Sequence, residues 1–204
     1  MSEDIEDTIL KIVILGGSTV GKTSIFIRYF QKEFKTAIAT MGVDFKMKFF
    51  KFEGKKIKVN YIDTAGQEKF RAISVNYLKS AHGVILVFDI TKEKTFSSLE
   101  EWIRNLKDNN QLNMEKVLIG NKSDLEEERE VKKEDAEDFA KSIGCNYYEG
   151  SAKSGININE PLDEIAKITY LSKKDRIREE SEASISMVLT KPKHKSTEKK
   201  KKCC

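Results

Sequence analysis

The sequence predicts an α/β protein in which a six-stranded, mostly parallel sheet is covered by helices on both faces. Continuous apolar runs of strand length alternate with segments of helical periodicity, which is the pattern of such folds. A chain of 204 residues, 39% hydrophobic and 34% charged, suits one soluble domain with a short tail. Its apolar runs fall short of the roughly 18 residues that a membrane-spanning helix needs.

The first part of the chain is predicted to form a strand, a helix and a hairpin. The run TILKIVILG at 8–16 is apolar and ends in glycine, as a buried parallel strand does. Helical spacing follows at 22–31. Residues 43–52 and 55–63 alternate apolar and polar side chains on either side of EGK, which indicates an antiparallel hairpin at a sheet edge.

The middle of the chain continues the alternation of strands and helices. Two apolar runs, at 82–91 and 115–124, read as buried strands. A helix is predicted between them at 95–109, with Thr95 or Ser97 as a possible N-cap. Such strands bind ligands beyond their carboxyl ends, so the residues that follow each strand are candidates for a site.

The last part of the predicted domain contains two helices and a short strand. Residues 131–144 have the pattern of a helix closed by Gly144. A short sixth strand with its loop follows at 146–153. The final helix is predicted at 159–174, where Pro161 falls in the first turn and is tolerated there.

The residues after the first strand form a candidate phosphate-binding loop. GGSTVGKT, from Gly16 to Thr23, fits the pattern G-x-x-x-x-G-K-[ST] in full. Glycines let the backbone turn so that successive N–H groups point at an anion, and the start of the next helix adds its positive dipole end. Lys22 can reach the outer phosphates, and the Thr23 hydroxyl can hold Mg²⁺. The other residues expected around the phosphates are Ser18, Thr19, Val20, Gly21 and Ser24.

A second candidate group follows the fifth strand and indicates guanine. The carboxylate of Asp124, in GNKSD, can accept two hydrogen bonds from the N1–H and 2-amino groups of guanine, a donor pair that adenine lacks. Asn121 can brace the loop, and the stem of Lys122 can cover one face of the ring. After the sixth strand, backbone N–H groups can meet the guanine oxygen from Ser151, Ala152 and Lys153.

The third candidate group, DTAGQE, follows the third strand and completes a hydrolytic site. Asp63 can hold a magnesium-bound water. The N–H of Gly66 can contact the γ-phosphate, where a side chain would obstruct the approach. Gln67 can orient the attacking water. Lys22, Gly66 and Gln67 are therefore the predicted catalytic residues.

These motifs, in this order and at these intervals, resemble the Ras superfamily of small GTPases over about residues 8–172. TMGVDF at 40–45, EKFRAI at 68–73 and NYLKSAHGVILVFDIT at 76–91 resemble the Rab family. The resemblance implies a P-loop NTPase of the small G-protein fold, with six strands and five helices. It also implies that Thr40 binds Mg²⁺ and senses the γ-phosphate, and that Phe34 packs near guanine.

The chain departs from the Rab pattern at several positions. Ile62 stands where the family has Trp, beside the aromatic residues Phe45 and Tyr77 of an effector-facing triad. Thr19 replaces a common glycine of the phosphate loop, and Gly150 stands where threonine often precedes SAK. The segment between Thr23 and Thr40 is one residue shorter than usual. These departures indicate a divergent Rab that keeps the nucleotide-binding residues.

The resemblance implies a switch between a GTP-bound active state and a GDP-bound inactive state in vesicle-mediated transport. The loops around 34–45 and 64–80 would close on the γ-phosphate and bind effectors. Exchange factors, GTPase-activating proteins, a GDP-dissociation inhibitor and a prenylation escort are the implied partners of a monomer. Hydrolysis is expected to be slow without an activating partner, because no residue of the sequence can be identified as an arginine finger in cis.

The end of the chain differs from the rest in charge and composition. From Lys191 to Cys204, seven lysines and one glutamate give +6, whereas the whole chain has +4, so the rest carries −2. From Lys173 onward the charged, Ser/Thr-rich sequence predicts a disordered basic tail, at 173–204, after a GTPase domain at 1–172. We do not expect nucleic-acid binding, since a domain that grips nucleic acid spreads basic charge over a folded face.

The three cysteines predict one core thiol and a lipid anchor. Cys145 is expected in the core. Rab tails that end in Cys-Cys carry geranylgeranyl groups, which the resemblance extends to Cys203 and Cys204. Two lipid chains with lysines beside them would anchor the protein firmly to the anionic cytoplasmic leaflet of a membrane. The acidic N-terminus resembles neither a signal peptide nor a myristoylation site, so we expect the cytoplasmic face of intracellular membranes and an escorted cytosolic pool.

Two other functions are compatible with the sequence. Thr19 and Ile62 leave open a GTP-binding scaffold that scarcely hydrolyses. A P-loop kinase for a small substrate would need a lid and a second substrate site, often Arg-rich, whereas this chain has six scattered arginines. A single-turnover assay separates the scaffold from the GTPase, and phosphate transfer from ATP would reveal the kinase.

Overall fold

The computed structural model describes residues 5–35, 42–64 and 76–189, with side chains described between 9 and 178 of these ranges. Six strands form one sheet in the order β2-β3-β1-β4-β5-β6. Their bounds are β1 Ile5–Gly16, β2 Val43–Phe52, β3 Lys55–Thr64, β4 Gly83–Asp89, β5 Glu115–Asn121 and β6 Asn146–Gly150. The α-helices of the described residues are α1 Lys22–Gln31, α2 Glu93–Ser97, α3 Leu99–Asp108, α4 Lys133–Ser142 and α5 Asn159–Leu189.

The strand pairing confirms the predicted mostly parallel sheet. β1 lies between β3 and β4 and is parallel to both, and the β4–β5 and β5–β6 pairs are also parallel. β2 pairs with β3 in antiparallel register and lies at the sheet edge, as the alternating pattern predicted. The carboxyl ends of five parallel strands therefore meet along one side of the molecule.

Helices cover both faces of the sheet, and each face has its own hydrophobic cluster. Side chains such as Ile12 and Tyr61 pack with residues of α1 and α5 on one face. Val13 and Leu86 pack with Trp102 of α3 and residues of α4 on the other. Successive residues of a strand point to opposite faces, so a central strand such as β1 serves both clusters and is continuously apolar from Ile12 to Leu15. Cys145 is half-buried against the second cluster.

The helix predicted at 95–109 is instead two helices that meet at Ser98. Thr95 is not an N-cap, because its hydroxyl donates to the Lys92 carbonyl at 2.7 Å and accepts from the Asp89 N–H at 3.0 Å. Ser98 donates to the Thr95 carbonyl at 2.8 Å. Ser97 ends α2 and caps no helix. These hydroxyls bond to the local backbone and compete with a continuous helix.

The helices after β5 differ from prediction mainly in length. Gly144 follows α4 with φ +65°, and its N–H donates to the Lys141 carbonyl, so this predicted helix end is confirmed. α5 runs to Leu189, although the sequence predicted a helix to 174 and disorder from Lys173. Residues 173–189 lack Gly and Pro and are rich in Lys, Arg, Glu and Ser, a charged composition that is also compatible with a helix.

The length and polarity of the helices bear on membrane insertion. Among the residues that the structure describes, no helix combines the length and the apolar character that a bilayer crossing requires.

Candidate nucleotide-binding site

The turn between β1 and α1 requires glycine at two positions. A Cβ on Gly16 would lie 2.1 Å from the Val87 carbonyl oxygen on the neighbouring strand β4. Gly21 has φ +94°, and a Cβ there would lie 2.3 Å from Asn121 Nδ2. Side chains would collide at both places, so the loop can take this path only with glycine. The path leaves the first N–H groups of α1 facing the carboxyl edge of the sheet.

Lys22 begins α1 and turns its buried side chain back over the loop. Its ammonium donates hydrogen bonds to the Gly16 carbonyl at 2.9 Å and the Gly17 carbonyl at 2.7 Å. Burial lowers the pKa of Lys22 to about 8, an effect that the nearby Asp63 carboxylate opposes. The side chain is therefore mostly protonated at neutral pH and carries a positive charge at the centre of the loop.

Thr23 and Asp63 join the phosphate loop to the end of β3. The Thr23 hydroxyl donates to Asp63 Oδ2 at 2.6 Å. Burial raises the pKa of Asp63 to about 6, whereas the Thr23 hydrogen bond and Lys22 lower it. The other carboxylate oxygen, Oδ1, is buried without a hydrogen-bond partner. A hard cation prefers such oxygen ligands, so this pair fits Mg²⁺.

Asn121 braces the loops of the predicted guanine side. Its side-chain amide donates to the Val20 carbonyl at 2.7 Å, and its Oδ1 accepts the N–H of Ala152 at 3.1 Å. One buried side chain therefore joins the phosphate loop, the end of β5 and the loop after β6. The predicted bracing role agrees with this geometry.

Asp124 lies beside the SAK tripeptide that follows β6. Ser151 Oγ donates to Asp124 Oδ1 at 2.5 Å, and the ammonium of Lys153 lies 3.6 Å from Oδ2. Lys122 has a left-handed backbone, with φ +72°. The loops after β5 and β6 thus form one connected group of charged and polar side chains.

Two residues that sequence analysis missed hold these loops. Asp89, at the end of β4, is fully buried and forms an ion pair with Lys122 at 2.5 Å. Arg28 of α1 donates from Nε to the Ala152 carbonyl at 2.8 Å and from Nη2 to the Lys153 carbonyl at 2.6 Å. Asp89 could have been found, because it is a charged residue at the carboxyl end of a buried strand, but Arg28 gives no comparable signal.

The remaining predicted residues of the phosphate loop have varied surroundings. Thr19 is exposed and has φ +63°, an unfavourable conformation for a β-branched residue. Val20 is buried, Ser18 is half-buried, and Ser24 donates to the Lys35 carbonyl at 3.3 Å. Phe34 is 40% exposed, and its contact with a base stays a prediction.

Several predicted residues lie outside the described ranges. These are Thr40, Gly66, Gln67, Cys203 and Cys204, so the roles of both switch loops and of the lipid anchor stay predictions. Two members of the aromatic triad can be described. The rings of Phe45 and Tyr77 meet edge to face at 5.6 Å, and Ile62, paired with Phe45 across the hairpin, is buried.

The fold and loop define a P-loop protein, and the comparisons with known proteins narrow the class. The Ras family model matches residues 11–170. Ras-related protein Rab-13 of Bos taurus is 42% identical over 162 residues, which are 79% of this chain and 80% of the relative. Ras-related protein Rab-8 of Diplobatis ommata is 40% identical over 198 residues, 96% and 93% of the two chains. Ras-related protein Rab-8B of Homo sapiens is 40% identical over 171 residues, 82% and 83%.

The chain belongs to the Ras superfamily of small GTPases and, within it, to the Rab family. It is accordingly a GTP hydrolase, and GTP, GDP and Mg²⁺ are the ligands that Ras-family GTPases use in general. The fold predicted from the resemblance, a six-stranded sheet with flanking helices, is confirmed.

Proposed function

We propose that this chain is a membrane-anchored Rab GTPase that regulates vesicle-mediated transport by cycling between GTP-bound and GDP-bound states. The observation that carries the proposal is the link between Thr23 of the phosphate loop and the buried carboxylate of Asp63. This link joins the phosphate end of the site to the strand that leads into the DTAGQE segment. A change at the terminal phosphate can therefore be passed to the segment that follows Asp63.

The binding step rests on the phosphate loop and its lysine. The Lys22 ammonium, already held over Gly16 and Gly17, supplies a fixed positive charge for the β- and γ-phosphate oxygens. N–H groups of the loop and of the first turn of α1 add donors without moving. Mg²⁺, when bound, neutralises part of the phosphate charge, and Thr23, Asp63 and Thr40 are the residues that would hold it.

Guanine selection is assigned to the loops after β5 and β6. The Asp124 carboxylate is the acceptor for guanine N1–H and the 2-amino group, and an adenine base would leave it unpaired at a desolvation cost. Asn121 supports this selection, because it fixes the distance between the phosphate loop and Ala152. The Asn121 side chain thus fixes the position of the base-binding loops relative to the phosphate loop.

The switching and anchoring roles rest on residues outside the described ranges. Thr40 and Gly66 are proposed to contact the γ-phosphate and to release the two loops after hydrolysis, and Gln67 to orient the water. Cys203 and Cys204 are proposed to carry two prenyl groups at the cytoplasmic face of a membrane, with the adjacent lysines adding electrostatic attraction. Effectors, exchange factors, activating proteins and prenyl-binding escorts are the proposed partners.

Nucleotide binding and single-turnover hydrolysis on the purified chain test the enzymatic part. We expect GTP and GDP to bind with micromolar or better affinity and ATP to bind far more weakly. Gln67→Leu should keep GTP affinity and abolish hydrolysis. Unchanged turnover in Gln67→Leu would overturn its assigned role, and equal affinity for ATP would overturn the guanine assignment. Negligible wild-type turnover even with activating proteins would favour the GTP-binding scaffold.

Membrane anchoring has a separate test. The prenylated chain is compared with a variant in which Cys203 and Cys204 are both replaced by Ser, by cell fractionation and imaging of a tagged protein. We expect the wild type on intracellular membranes and the variant in the soluble fraction. Membrane association of the variant at the wild-type level would contradict the proposed anchor.

A further inference from the structure

One face of the β2–β3 hairpin carries apolar and basic side chains in adjacent rows. Phe49 of β2 lies opposite Lys58 of β3, which lies opposite Ile9 of β1. Paired residues on neighbouring strands point to the same side of a sheet, so these three form a row across the face. Towards the hairpin turn, the next row contains Lys51 opposite Lys56.

The row on the other side contains Met47, opposite Asn60 of β3, which in turn lies opposite Lys11 of β1. Basic side chains therefore border the apolar ones, and the Lys56 ammonium lies 5.0 Å from the centre of the Phe49 ring. We call the six residues at the centre of this arrangement the hairpin surface. They are Ile9, Met47, Phe49, Lys51, Lys56 and Lys58.

The apolar members of the hairpin surface are unusually exposed. Met47 is 50% exposed, Phe49 46% and Ile9 42%. On the opposite side of the same strand, Phe50 and Phe52 stack at 5.4 Å, and Phe52 stacks on Tyr170 of α5. The outward-facing row thus has side chains as large as those of a core strand, but they are left about half exposed to solvent. Exposed apolar side chains of this kind are typical of interaction surfaces.

This surface is distinct from the nucleotide site and from the aromatic pair of Phe45 and Tyr77. Lys58 precedes Asp63 by five residues on β3, so the two are about 17 Å apart along the strand. Phe45 lies nearer the nucleotide end, since it pairs with Ile62. The hairpin surface begins beyond it and continues to the hairpin turn.

We propose that the hairpin surface docks on an anionic membrane leaflet. Lysines that border exposed Phe, Met and Ile side chains match a bilayer interface, where apolar groups enter and ammonium groups remain among anionic headgroups. The rows lie on the face of a sheet, a form that suits a planar partner. This inference rests on the proposed function only for the tail, which would hold the body near such a leaflet.

The path of α5, which packs on the opposite face of the sheet, brings the start of the tail to the hairpin turn. Lys174 of α5 forms an ion pair with Glu53 in the hairpin turn, at 2.5 Å. α5 therefore passes the turn before it continues towards the predicted lipid anchor. The hairpin surface and the start of the tail consequently lie at the same end of the domain.

The experiment measures partitioning of the full-length, unlipidated chain onto phosphatidylcholine vesicles with and without phosphatidylserine. Lys199 to Lys202 are each replaced by Gln in all samples, so that the tail does not mask the body. In this background the triple variant Lys51→Gln, Lys56→Gln, Lys58→Gln should bind anionic vesicles at least tenfold more weakly, since each lysine near the surface contributes about fivefold.

Two further variants make the result specific. Lys92→Gln, Lys94→Gln, Lys107→Gln removes the same charge from α2, α3 and the residue before α2, and should change partitioning less than twofold. Phe49→Ala, which leaves the net charge unaltered, should reduce it. Fluorescent GDP binding checks that every variant is folded.

Each alternative outcome is informative. Equal losses in both lysine triples would show a net-charge effect and overturn the proposal. Unchanged binding in the hairpin triple would also overturn it and would direct the search to an acidic protein partner. Equal binding of the parent chain to neutral and anionic vesicles would overturn it too. GTP binding and hydrolysis by the same samples test the proposed function independently.

Discussion

The ammonium of Lys122 lies 2.5 Å from Oδ2 of Asp89, a carboxylate with no exposure to solvent. The contact is an ion pair without the alignment of a hydrogen bond. The second oxygen of Asp89 accepts from the Thr91 N–H at 3.0 Å and the Thr91 hydroxyl at 2.7 Å. β4 thus anchors the side chain that is predicted to cover the base, although no nucleotide motif includes Asp89.

Asp89→Asn should keep an acceptor for Thr91 and lose the ion pair with Lys122. We expect a loss of about 1–3 kcal/mol in GDP affinity, because a lysine stem without its anchor covers the base less well. Isothermal titration measures the change. A double-mutant cycle with Lys122→Met provides the control: additive losses would contradict the coupling of the two residues.

Thr19→Gly should stabilise the chain. Thr19 holds φ +63°, a conformation that costs a β-branched residue about 1–2 kcal/mol, of which the greater freedom of unfolded glycine cancels part. The free energy of unfolding should therefore increase by about 0.5–1 kcal/mol in urea titrations. Ser18→Gly is the matched control in the same loop and should destabilise. If the Thr19→Gly variant were less stable than the wild type, the backbone at Thr19 would not be strained in the wild-type chain.

Asp124→Asn should reduce guanine selectivity. An amide presents only one acceptor atom, and its NH₂ group would face the donors of guanine, so GTP affinity should fall about 100-fold or more while ATP affinity changes little. Competition binding with both nucleotides measures the ratio. Ser151→Ala removes the hydroxyl that donates to Asp124 and should have a smaller effect. Selectivity that survives in Asp124→Asn would place base recognition elsewhere.

Cys145 should react slowly with thiol reagents, with a steep dependence on pH. Burial raises the pKa of its thiol to about 11, and Lys116 lowers it less. At pH 8 the ionised, reactive fraction of the Cys145 thiol is then about one in a thousand, whereas roughly a quarter of a free cysteine is ionised. The modification rate should increase about tenfold per pH unit from 8 to 10.

Cys145→Ser separates this thiol from the two terminal ones. In the unlipidated chain the slow phase should disappear in the variant, while the fast phase of Cys203 and Cys204 remains. A single fast phase for all three thiols in the wild type would show that Cys145 is accessible.

The fold could be predicted largely because each strand is a continuous apolar run that ends in a polar motif. Prediction failed where side chains bond to local backbone: the break at Ser98 depends on hydroxyls that periodicity does not register. It also failed for the helix in 173–189, where a charged composition is compatible with helix and with disorder. Local sequence could not distinguish the two, since tertiary context decides.

The site was predictable to the extent that its residues lie in short motifs. Gly16 to Thr23, Asn121 and Asp124 lie at or just beyond the carboxyl end of a buried strand, and the sheet brings them together. Arg28 was missed because its partners, Ala152 and Lys153, lie more than 120 residues away in the chain. A contact of that separation leaves no periodic or compositional trace in a single sequence.

Arg28 also has a consequence for how the two ends of a ligand influence each other. It belongs to the helix that starts at Lys22, and it holds the carbonyls of the loop that follows β6. A phosphate that orders the start of α1 therefore also pre-organises the loop after β6, which is predicted to bind the base. By the same coupling, a bound base pre-organises the start of α1. Pyrophosphate and guanosine should bind cooperatively, and either one alone should slow amide hydrogen exchange at the opposite end of the cleft.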